Sequence, residues 1–160
     1  MVPEIQKEKA EKFLKFHHGG EILTLLNTWD AGSSRLVEAC GYKAIATTSM
    51  GIAASLGYPD CEVMQLPELL QVVNGIVHAV QVPVSVDFET GYGNNVDEIV
   101  DSVKALIATG VVGINIEDSI ELSPNLIDEV EFCERISAIR ALSDSLGFHL
   151  VINARTDSWR

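Results

Sequence analysis

Five short apolar runs rich in β-branched residues alternate with longer stretches of helical periodicity, and this alternation restricts the possible folds more than any other feature of the chain. The runs are Ile22 to Leu26, Ala44 to Thr48, the segment around Val84-Ser85-Val86, Val112 to Glu117, and His149 to Ala154. Helices are predicted between them, from about Ala31 to Cys40, Leu66 to Val80, Asn95 to Thr109 and Asp128 to Leu146, after a leading helix from Pro3 to His18. Their ends carry the expected signals: Gly19-Gly20, Gly41 and Gly110 follow last turns, Pro67 falls in a first turn, and Asn95 takes an N-cap position. Ser49 to Asp60 reads as a long loop. Such alternation builds a parallel sheet from right-handed βαβ units. It is compatible with an open doubly wound sheet and with a closed (β/α)8 barrel of the TIM type. The length of 160 residues suits the open sheet, since a complete barrel takes about 250.

Polar residues at the strand ends point the other way. Val84-Ser85-Val86-Asp87-Phe88-Glu89 runs into Thr90-Gly91-Tyr92-Gly93. Alternation along a strand places Asp87 and Glu89 on one face and Phe88 on the other. Asn115 and Glu117 at the fourth strand, and Asn153 and Arg155 at the fifth, are likewise two apart. A sheet covered by helices has room for such residues only at its rim. A barrel gathers all its carboxyl-end rims around one cavity, where its active sites lie. Two neighbouring acids repel unless a cation or a proton sits between them, and hard oxygen ligands suit Mg²⁺ or Mn²⁺. The alternative is a solvated strand end whose acids face water.

A formal charge of −12 excludes nucleic acid and anionic membrane as expected partners, because both require a basic footprint. No apolar run approaches the ~18 residues of a membrane span. Met1 to His18 is charged and lacks the apolar core of a secretion signal. Cys40, Cys61 and Cys133 are far apart and without metal-ligand spacing, as expected of reduced thiols in a cytoplasmic protein.

Five segments together resemble the isocitrate lyase and phosphoenolpyruvate mutase superfamily: Asn27-Thr28-Trp29-Asp30-Ala31-Gly32, Ser55-Leu56-Gly57-Tyr58-Pro59-Asp60, Asp87-Phe88-Glu89-Thr90-Gly91-Tyr92-Gly93, Asn115-Ile116-Glu117-Asp118-Ser119 and Asn153-Ala154-Arg155-Thr156-Asp157. The resemblance implies a (β/α)8 barrel with about its first five βα units in this chain, residues 1–160 forming a single domain that is its N-terminal portion. It also implies homo-oligomers, dimers or tetramers, often with a swapped last helix. The implied activity is Mg²⁺-dependent (or Mn²⁺-dependent) lyase or mutase chemistry on a small α-keto or α-hydroxy carboxylate, breaking or forming C–C or P–C bonds through a pyruvate enolate. Carried over by position, Asp60, Asp87, Glu89 and Glu117 become the metal-shell acids. Ser49, Met50 and Gly51 become the loop gripping a substrate carboxylate, and Asn153 and Arg155 further substrate contacts. Arg155, Glu117 and Asp60 become the candidate catalytic residues.

The chain departs from the family pattern in several places. Glu89 stands where Asp is usual, and Thr47 and Met50 differ from the common residues. The lyases' Lys-x-Cys-Gly-His lid is replaced by Ile120-Glu121-Leu122-Ser123-Pro124-Asn125-Leu126-Ile127, which has no Cys, His or Lys. That shifts the expectation from isocitrate-type cleavage toward a phosphonomutase-, decarboxylase- or hydrolase-like member. A catalytically inactive or ligand-binding homologue with the same barrel is the alternative. The family continues for three more strands where this sequence stops, so a fragment of a longer enzyme is expected. Two simpler roles stand beside the implied ones: Asp60 ending a turn after Pro59, and Arg155 pairing with Glu117 without touching a ligand.

Overall fold

The computed structural model describes residues 2–120 and 125–158. Among them, five parallel strands form one sheet: β1 (Leu26–Thr28), β2 (Ile45–Thr47), β3 (Val84–Asp87), β4 (Gly113–Glu117) and β5 (Val151–Arg155). The helices are α1 (Glu4–His17), α2 (Ala31–Ala39), α3 (Ser49–Leu56), α4 (Leu66–Ala79), α5 (Val96–Ile107) and α6 (Glu129–Ser145). Strand order follows chain order, β1-β2-β3-β4-β5. A doubly wound sheet reverses direction at its switch point, whereas a barrel wall proceeds strand by strand. The arrangement is therefore a barrel wall, which removes the open sheet that length alone favoured.

Two sequence expectations are corrected. The first strand lies at Leu26–Thr28, not Ile22 to Leu26: among the described residues it pairs with β2, where Leu26, Asn27 and Thr28 face Ile45, Ala46 and Thr47. Ile22 stays outside the sheet and is 95% exposed. The predicted loop from Ser49 to Asp60 opens with α3, whose first turn is capped by Thr48 accepting from the Gly51 amide. Gly57, at φ 83°, ends it in the left-handed region that glycine enters without strain.

The core lies between the sheet and its helices. Leu69, Val73 and Ile76 of α4 and Ile99, Val103 and Leu106 of α5 are fully buried with Val84, Val86, Ile114 and Ile116 of the strands. Each such side chain contributes about 1.5–3 kcal/mol. Asn95 caps α5 as predicted, accepting from the Glu98 amide. α1 docks at the amino-terminal end of the sheet. Its buried Gln6 donates to the carbonyls of Ile107 (2.9 Å) and Val111 (2.8 Å). Its Phe13 lies where a side chain on Gly113 would have to go, at 2.7 Å from a Cβ built there. No described helix is long and apolar enough to cross a membrane.

Candidate active site

Thr47, Asp87, Glu117 and Arg155 are the last residues of four consecutive strands, β2 to β5. Parallel pairing brings these ends to one rim. The Asp87 amide donates to Thr47 Oγ1 (3.0 Å). Asp87 Oδ2 accepts from both the amide (3.1 Å) and the hydroxyl (2.9 Å) of Ser49, the first residue of α3. Glu117 Oε2 is paired with Arg155 Nη1 at 2.8 Å, and Arg155 Nε donates to Asp157 Oδ1 at 2.8 Å. Ser119 Oγ donates to the other oxygen of Asp157, and Asn153 Nδ2 donates to Asn115 Oδ1 one strand away. Asn27, Thr47, Asp87, Asn115, Asn153 and Arg155 line a cleft of about 380 Å³.

Charge is unevenly compensated at this rim. Burial pushes the Glu117 carboxyl above its ordinary range, with Arg155 opposing and Asp157 and Asp87 adding to the rise. For Arg155, burial works against the charge, but Asp157 and Glu117 outweigh it and the guanidinium is held above its usual range.

A second acidic group adjoins the first. The alternation that was to place Asp87 and Glu89 side by side stops at Asp87, where β3 ends; Glu89 has φ 49° and belongs to the following turn. Its carboxylate is buried, 7% exposed, and accepts from the Glu62 amide (2.8 Å) and the Tyr92 hydroxyl (2.8 Å). Burial is the main reason its pKa is pushed up to about 7; the two hydrogen bonds oppose the rise, and the charges of Glu62 and Asp60 add to it. The Tyr92 phenol is pushed far above its ordinary range by burial and by Glu89. Asp60 has one buried oxygen, Oδ1, without a hydrogen-bond partner among the described residues. Cys61, Glu62, Glu89, Thr90, Glu117 and Ser119 line a small recess between the two groups.

The sequence-predicted residues are thus distributed as follows. Ser49 and Asp87 are bonded to each other, and so are Glu117 and Arg155. Asn153 lies beside them through Asn115, while Glu89 and Asp60 form the adjoining group. Met50 is 63% exposed in the first turn of α3. Gly51 allows α3 to pack closely: a Cβ there would sit 2.5 Å from Thr48 Cγ2 and 3.2 Å from Trp29 Cβ. Sequence reasoning missed Glu62, which has no spacing signal, and gave no role to Tyr92, Ser119 or Asp157. In the predicted lid segment, residues 121–124 lie outside the described residues; around them Ser119 bridges Leu126, and the Ile127 amide donates to the Asp118 carbonyl.

The donor set suits a divalent cation. Burial holds Glu89 and Glu117 above their normal pKa range, with neighbouring acids adding to the rise, and Asp60 Oδ1 is an orphaned buried acceptor. Among the described residues, no three acids, histidines or cysteines converge into an all-protein cage. Mg²⁺ does not need one, because it keeps several waters and takes few direct ligands.

A sheet in barrel order, with carboxylates, an arginine and a serine amide gathered at its carboxyl ends, defines a (β/α)-barrel rim of the phosphoenolpyruvate mutase and isocitrate lyase kind. The chain belongs to that superfamily: the model of the family described as phosphoenolpyruvate phosphomutase matches residues 13–160. It is 32% identical over 145 residues to the 2-methylisocitrate lyase of Escherichia coli strain K12, covering 85% of this chain and 48% of that protein. A candidate phosphonomutase structure from Burkholderia cenocepacia J2315 is 39% identical with a TM-score of 0.90, covering 95% of this chain and 60% of that one. The structure of oxaloacetate acetylhydrolase in complex with the product oxalate is 28% identical with a TM-score of 0.86, over 94% of this chain and 54% of that one. The chain spans about half the length of the curated relatives it matches.

Proposed function

We propose that this chain carries the metal- and carboxylate-binding rim of a lyase- or mutase-type enzyme acting on a small α-keto or α-hydroxy carboxylate, with a C–C or P–C bond made or broken. The observation that carries the reading is the convergence of Asp87, Glu117 and Arg155 at the ends of three adjacent strands, with Ser49 bonded to Asp87. The relatives support it: their names include 2-methylisocitrate lyase and 2,3-dimethylmalate lyase, and one solved neighbour holds oxalate.

In this reading Asp60, Asp87, Glu89 and Glu117 would hold Mg²⁺ or Mn²⁺, directly or through its waters. When bound, the cation supplies the positive charge that stabilises an oxyanion developing beside the substrate carboxylate. The chain's own groups do the rest. Arg155 is fixed by Glu117 and Asp157 and presents its half-exposed guanidinium to a carboxylate, which its planar fork binds bidentately. The first turn of α3, from Ser49 through Met50 to Gly51, turns the positive end of a helix dipole to the same anion. The full-length form assembles as a dimer or tetramer.

Oxalate, a planar enolate mimic, tests this by calorimetry. It is expected to bind only when Mg²⁺ is present, and absence of binding in both conditions would refute the proposal. The lid segment without Cys, His or Lys favours one second reading, a ligand-binding homologue without turnover. Mg²⁺-dependent oxalate binding by the full-length protein, without turnover of 2-methylisocitrate, 2,3-dimethylmalate, oxaloacetate or phosphoenolpyruvate, would select it.

A further inference from the structure

Two turns, one after α3 and one after β3, are tied to each other through the carboxylates of Glu62 and Glu89. The non-glycine residues Cys61 (φ 73°), Glu62 (54°), Glu89 (49°) and Tyr92 (54°) occupy the left-handed region, as does Gly91 (114°). Side chains beyond glycine are strained in that region, so the turns relax unless something fixes them. Glu62 does the fixing in both directions. Its Oε1 accepts from the Thr90 amide (2.8 Å), the Thr90 hydroxyl (2.7 Å) and the Tyr92 amide (3.1 Å). Its own amide donates to Glu89 Oε2 (2.8 Å). From the far side, buried Arg135 of α6 donates to the Thr90 carbonyl (3.3 Å) while paired with Glu131 at 2.6 Å. Thr90 is therefore gripped through its amide, its hydroxyl and its carbonyl, next to the carboxylate that is being aimed.

We propose that Glu62 is a positioning residue that sets the orientation of Glu89 for metal binding, without being a ligand itself. Each Glu89 oxygen takes one fixed donor, the Glu62 amide on Oε2 and the Tyr92 hydroxyl on Oε1. A carboxylate oxygen accepts about two hydrogen bonds, so each keeps a lone pair for a metal-bound water. Without the clasp the turn keeps its backbone bond from the Glu117 amide to the Glu89 carbonyl, but the Thr90 and Tyr92 amides lose their acceptor and the aim of the carboxylate is loosened. This inference rests on the reading of Glu89 as a member of the metal shell.

The test compares wild type, Glu62→Ala, Glu62→Gln and Thr90→Val, using Mn²⁺ affinity by electron paramagnetic resonance and amide exchange by NMR. Glu62→Ala is expected to weaken Mn²⁺ binding about tenfold or more, the usual effect of removing a residue that orients a metal shell. It is also expected to lose exchange protection at the Thr90 and Tyr92 amides. Glu62→Gln keeps the acceptor oxygen and is expected to restore both, which a role limited to charge would not allow. Thr90→Val, which removes one donor, is expected to show a smaller loss in the same direction and serves if Glu62→Ala does not fold. Unchanged Mn²⁺ affinity in Glu62→Ala, or failure of Glu62→Gln to restore it, overturns the proposal. If wild type takes up no Mn²⁺, the metal reading itself falls. Amide protection then decides the clasp alone, and protection retained in Glu62→Ala refutes it.

Discussion

Glu89 keeps its proton up to about pH 7 in the folded chain, against an ordinary value of 4.5, chiefly because burial penalises its charge. A carboxyl whose folded pKa lies above its unfolded one supports the fold fully below the unfolded value and loses that support as pH rises through the folded value. The metal-free protein is therefore expected to lose roughly 2 kcal/mol through this residue between the two values, with solvent screening included. Urea melts at about pH 4.5 and about pH 7.5 check it. The loss should be smaller in Glu89→Gln, and that difference isolates Glu89 from Glu117, which is shifted in the same sense. In the proposed reading Mg²⁺ would reverse the balance by compensating the charge, and the expected outcome is a higher Tm near neutral pH through binding to the native state alone. The Mg²⁺-induced shift should shrink in Glu89→Gln and persist in Asp97→Asn, on the exposed first turn of α5. Equal shifts in wild type and Glu89→Gln would remove Glu89 from the metal shell.

At the level of elements, α3 shows what periodicity can and cannot reveal. Strands were legible as short apolar runs rich in β-branched residues, and α4 and α5 as stretches whose apolar residues recur with a period of about 3.6. Ser49–Leu56 has only eight residues and apolar side chains on several sides, so it shows no stripe, and only Thr48 and Gly57 mark its ends. The strand ends were legible as a polar rim, but the strand-like alternation drawn through Asp87 and Glu89 failed where backbone φ turns positive. Glu62 was invisible for a related reason: its contact with Glu89 spans 27 positions and depends on two irregular turns, which no local pattern encodes. The close seating of α3 gives its own prediction. Gly51→Ala forces a Cβ against Thr48 Cγ2 and Trp29 Cβ, so Thr48 must turn and surrender its cap. A loss of about 1–3 kcal/mol in denaturant unfolding is expected, with weaker oxalate binding because Ser49 moves with the helix.

At the scale of the molecule, each strand among the described residues pairs with its neighbours in the chain, and α1 reaches across that order. Gln6 bonds to carbonyls 101 and 105 positions away. Gln6→Leu leaves the buried Val111 carbonyl without its donor, while the Ile107 carbonyl keeps the Gly110 amide, and this should cost about 1–3 kcal/mol in unfolding free energy. Retention of Mn²⁺ binding at the opposite end of the sheet would separate this effect from damage to the rim. The same bonds have a consequence for the order of assembly. During synthesis, successive strands can pair as they emerge, but α1, which precedes them, lacks its Gln6 anchor until the residues entering β4 arrive. Bringing its ends together then closes a loop of about a hundred residues, an entropic cost on the order of 4 kcal/mol that only late contacts offset. On a ribosome-bound chain halted before Ile107 has emerged, the α1 amides should exchange freely while β1 and β2 are already paired. α1 precedes all five strands in the chain, yet this fastening waits until three of them have been made.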